Sequence, residues 1–124
     1  MNKWDVNLRH FKMGDDLVLM LQGGEKPHIG AVALALPYKN TASASLIAVP
    51  NHKDGDLAKP LSEKVAKELK IKVILIVGIH IDDASHKDLE KVINNSEIAI
   101  DEFIKTKSVL TILLKQLKKE KEYH

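Results

Sequence analysis

The sequence predicts an α/β (α+β) two-layer sandwich. Its sheet is mostly antiparallel, with about five strands and one βαβ crossover, and helices cover it. Three observations predict this. Four short strand-like runs before residue 50 are joined by connections of only a few residues. A helical stretch then leads to residues 72–79, a β-branched run apolar on both faces. From Ser85 onward, apolar residues recur at helical spacing.

Residues 4–11 alternate loosely, with Trp4, Val6 and Leu8 on one side and Asp5, Asn7 and Arg9 on the other, which reads as a half-exposed strand. Met13 to Asp16 is a turn, and residues 16–22 are a second, more buried strand. Gly23-Gly24-Glu25-Lys26-Pro27 reads as a loop. Residues 28–36 form a third strand with Ile29, Ala31, Ala33 and Ala35 on one face. Such a small-residue face admits close approach of a helix, a ligand or a subunit partner. Residues 37–41 make a hairpin connection to a fourth strand over 43–49. After a polar loop, a helix runs from within 56–60 to about 69 and buries Leu57, Leu61, Val65 and Leu69, with Asp56 as a fitting N-cap. Pro60 disfavours the earlier start. Ser85-His86-Lys87-Asp88 has the pattern of a capping box and opens a last helix. Asn94-Asn95-Ser96 and Thr106-Lys107-Ser108 are points where it could break.

The 124 residues suit one domain, 1–124. A net charge of +2 without a basic cluster before the C-terminus argues against nucleic acid. No apolar run, Val73 to Val77 included, is long enough to span a bilayer. Met1 to Asp5 has no apolar signal region, which predicts a cytoplasmic protein. The absence of cysteine excludes disulfides, thiolate catalysis and thiolate zinc sites.

Chain direction then brings distant turns together. The second strand ends at Gly23-Gly24, beside the start of the third at His28. The fourth returns to the same rim at His52, and the fifth, parallel to it, ends there at His80. The rim thus gathers three imidazoles with Asp54, Asp82, Asp83 and two helix N-termini. Ligands favour strand C-termini, and helix N-termini favour anions, so the expected ligand is small and anionic. Taken singly, each histidine reads as a strand-end or solvated residue, and Asp82 and Asp83 read as helix caps. His10, His86 and His124 lie away from this convergence.

At His28-Ile-Gly-Ala-Val-Ala-Leu-Ala35, Pro50-Asn-His-Lys-Asp54 and Gly78-Ile-His-Ile-Asp-Asp83, the chain resembles the prenylated-flavin chaperone-like domain family, typified by the D subunit of gallate decarboxylase systems. The resemblance covers roughly Leu17 to Ile104, and its motifs are more specific to fold than to activity. The family pattern usually has glycine at the position of Asn51 and asparagine at that of Asp83. The resemblance implies a non-catalytic protein that binds prenylated FMN or FMN and hands it to a UbiD-type decarboxylase. It implies a flavin site at His28, Gly30, His52, His80 and Asp82; the rim adds Asp83, Gly23 and Gly24. Two other functions fit the residues. One is a metal-dependent hydrolase with His28, His52 and His80 as ligands, although no short helical histidine spacing occurs. The other is an assembly subunit of a decarboxylase complex. A leucine-rich C-terminal helix predicts a homo-oligomer.

Overall fold

The computed structural model describes residues 2–50 and 53–122, so His52 and Asn51 lie outside the described residues. The chain runs β1 (Val6–Met13), β2 (Asp16–Gly24), β3 (Ala31–Tyr38), β4 (Thr41–Ala48), α1 (Gly55–Leu69), β5 (Val73–His80) and α2 (His86–Glu122). The five strands form one sheet in the order β1-β2-β5-β3-β4. Three of its four pairings are antiparallel, and β2 with β5 is parallel. This is the predicted mostly antiparallel α+β sheet covered by helices.

One neighbour relation differs from expectation. The second and third strands are not adjacent, because β5 lies between them. Their directions survive, since β2, β4 and β5 all run one way. The segment from Glu25 to Gly30 makes this possible by crossing the C-terminal end of β5. Glu25 N–H donates to the His80 carbonyl (2.8 Å) on one side, and Gly30 N–H donates to the Val77 carbonyl (2.9 Å) on the other. Gly23 and Gly24, expected in that loop, are the last residues of β2 and pair with Val6 and His80. β3 accordingly begins three residues later than expected, at Ala31.

The core lies on one face. Leu17, Leu19 and Leu21 of β2, Ala31, Ala33 and Ala35 of β3, and Val73, Leu75 and Val77 of β5 meet Leu57, Ala58, Leu61, Val65 and Ala66 of α1 and Ile100 of α2. The alanine face is therefore occupied by α1, whose backbone it lets come close. Among the described residues no helix covers the opposite face. It presents Val18 and Met20, Ile74 and Ile76, and Val32, Leu34 and Leu36, with Phe11 at one edge and Ile47 at the other.

α1 starts at Gly55, earlier than Pro60 suggested, and keeps Pro60 inside it. Its N-cap is Asp54, not Asp56, which falls in the first turn. α2 is continuous through both expected break points. Asn95 turns its amide outward to donate to the Trp4 carbonyl (2.8 Å), and Ser96 donates back to the Val92 carbonyl (2.7 Å). The side chains that weaken helices thus find partners without unwinding this one. Its start is the predicted capping box: Asp88 N–H donates to Ser85 Oγ (3.1 Å), and Ser85 N–H donates to Asp88 Oδ2 (2.9 Å). Trp4, expected in the first strand, sits in the turn before it and donates its indole N–H to Asp88 Oδ1 (2.8 Å). No helix among the described residues is long and apolar enough to cross a membrane.

Candidate functional site

The rim at the C-terminal ends of β2 and β5 is built by close backbone crossings. Gly78 is buried, and a Cβ there would overlap the His28 carbonyl. Gly24 takes φ +80 against the backbone of His80. These crossings bring the rings of His28 and His80 to 5.3 Å between centroids, tilted by 43°. Two histidines far apart in sequence thus share one end of the sheet.

His80 Nε2 lies 2.9 Å from Asp82 Oδ1, a contact that needs the proton on that nitrogen. Lys26 Nζ stands 3.4 Å from the other Asp82 oxygen. The hydrogen bond from His80, then that from Lys26, holds the exposed Asp82 carboxyl below the usual carboxylate range. Asp83 is exposed and adopts φ +50, a left-handed conformation in which it bends the chain between β5 and α2.

Gly30, expected at the flavin site, has a structural role. A Cβ at this position would overlap the Asp54 carboxylate, which packs onto it from the start of α1. Asp54 is buried, and its Oδ1 accepts the Ile79 N–H (3.3 Å). Asp54 was placed on the rim from the sequence but not among the site residues. Asp-Gly at a helix start was the available signal, and it reads equally well as a cap.

Beside this rim a cleft of about 600 Å³ opens between α1 and the first half of α2. Leu57, Leu61, Leu89, Val92 and Ile93 form apolar walls, and Lys53, Asp54 and His80 stand at the rim end. Its size falls in the range of small-molecule sites, about 300–1,000 Å³. The sequence marked these leucines as core-facing; it did not reveal that the two helices leave room between them. Lys64, also on the cleft, is engaged by Asp101, which raises its pKa above the ordinary lysine value.

The helix N-termini are less open to an anion than expected. At α2 the first amides are taken by Ser85, and Asp88 places a carboxylate there. At α1 the Leu57 and Ala58 amides bond to the Asp54 carbonyl. Among the described residues no group of three His, Asp or Glu is arranged to hold a metal ion.

The family model of the prenylated flavin chaperone LpdD-like domain matches residues 1–108. The chain belongs to that family. The match takes in all five strands, α1 and the packed half of α2, and with them every residue of the rim and cleft. No curated protein matches the chain at a significant level. The arm of this LpdD-like domain past residue 108 is exposed throughout its described length, with Leu110, Leu113 and Leu117 on it.

Proposed function

We propose that this protein binds prenylated FMN and hands it to a UbiD-type decarboxylase, without catalysing decarboxylation itself. One observation carries the reading: His80 stands at the mouth of an apolar cleft of about 600 Å³, and the His28 ring lies 5.3 Å from its own. The family membership supports a prenylated flavin as the group handled. The cleft suits it. The ring system and its prenyl-derived carbons would lie between the leucine and isoleucine walls of α1 and α2. His80, His28 and Lys53 would face the polar ring edge and the phosphate. The engaged helix N-termini favour lysine and histidine over backbone amides as the phosphate partners. We prefer prenylated FMN to plain FMN because the walls are apolar where the prenyl carbons would sit. The rim residues Gly23, Gly24, Gly30, Asp82 and Asp83 serve in this reading to shape and charge the mouth. His52 belongs to the proposal by its sequence position alone. A cytoplasmic homo-oligomer completes it.

Titration with FMN and with prenylated FMN, followed by flavin absorbance and fluorescence, tests the ligand. The prenylated form should bind about tenfold tighter, a difference of ~1.4 kcal/mol. No spectral change with either overturns the reading. Mixing the loaded protein with cofactor-free decarboxylase tests delivery: activity should appear faster than with free cofactor at equal concentration.

A further inference from the structure

We infer that a second copy of this chain covers the sheet face opposite the helices. β5 is apolar on both faces, as are β2 and β3. Strands of that kind belong inside a molecule, and a sheet facing water alternates apolar with polar residues instead. Here only one face is covered by the chain's own helices. On the other, Leu34 is 39% exposed and Ile47 78%.

The face has the anatomy of an interface. Its centre, on β2, β5 and β3, is Val18, Met20, Ile74, Ile76, Val32 and Leu34. Its polar residues lie toward the border: Asn7 and Arg9 on β1, Ser43 and Ser45 on β4, and Gln22 near the end of β2. An apolar centre with a polar border is what protein contacts present. β5 is the middle strand of five, so a two-fold axis along it lays the Arg9 edge of one copy over the serine edge of the other. Arg9 then meets a neutral edge. Eight-residue strands at ~3.3 Å per residue and five strands at ~4.8 Å spacing make a face of about 600 Å². With side-chain relief this approaches the roughly 800 Å² that each partner gives to a stable standard interface. Two such sheets would stack about 10 Å apart, as in a sandwich.

This names the assembly surface of the proposed homo-oligomer and stands apart from the flavin reading, since its tests need no ligand. Sedimentation of the full chain at micromolar concentration should give twice the chain mass. The double variant L34E/I47E alters two side chains exposed in the single chain, so it should keep its circular dichroism and sediment as a monomer. The chain has no cysteine, so I76C places one thiol near the axis. Mild oxidation should crosslink it to its copy, whereas K118C on the α2 arm should not crosslink. A monomeric wild type overturns the inference and leaves the face to a different protein. A dimer that survives L34E/I47E but is lost when residues 109–124 are removed overturns it too, in favour of the arm.

Discussion

Gly78 decides where His28 goes. Because no Cβ stands in the way, the His28 carbonyl passes over the end of β5 and the two imidazoles meet. Gly78→Ala should therefore cost ~1–3 kcal/mol, the usual range for overfilling a packed site. Urea unfolding measures this, and flavin affinity should fall with it. A second residue-scale prediction concerns Asp88. The Ser85 amide and the Trp4 indole hold its carboxyl well below the ordinary range, with Ser85 the larger cause. A lowered folded pKa means that its contribution to stability is complete above about pH 4, the unfolded value, and fades as pH falls below it. Trp4 is the single tryptophan, and Lys91 Nζ lies 3.6 Å from its ring centroid. Its fluorescence should thus change on acidification below that range, ahead of or with unfolding. Asp88→Ala should remove the pH dependence of the Trp4 signal and lower the melting temperature.

At the scale of elements, the cleft depends on α1 and α2 meeting along only part of their lengths. Ile93 is 41% exposed on the cleft wall. Ile93→Trp should fill the space with little change in stability and weaken prenylated flavin binding by about tenfold, or ~1.4 kcal/mol. Isothermal titration of the variant reads this directly. Strand directions were legible in the sequence because connection lengths and periodicity dictate them, and so were the Ser85–Asp88 cap and the meeting of His28 with His80. The position of β5 between β2 and β3 was not legible. A six-residue link serves a neighbour or a crossing equally well, and only Gly78, an unremarked glycine in a buried strand, hinted at something passing over it. The inward turn of Asp54, expected only on the rim, was not legible for a related reason. Its carboxylate turns inward to Gly30 and the Ile79 amide, contacts between segments that no local spacing encodes. Asn94 to Ser96 looked like a break because propensity says so, but tertiary partners overrode it.

At the scale of the whole molecule, the core and the rim are complete by residue 108, where the family match ends. Residues 109–121 are exposed and extend α2 beyond the domain. Removing residues 109–124 should leave the urea midpoint unchanged and flavin binding intact. The molecule then has three distinct surfaces: a helix layer with a ligand-sized cleft, a bare apolar sheet, and an exposed arm. The central claim concerns the first, that His80, with His28 beside it, holds a flavin at the mouth of that cleft. Comparing the affinity of wild type and H28A/H80A for prenylated FMN tests it most directly. Losing two polar contacts at about 1 kcal/mol each should weaken binding roughly thirtyfold while the fold is kept. An unchanged affinity in a folded double variant would contradict it.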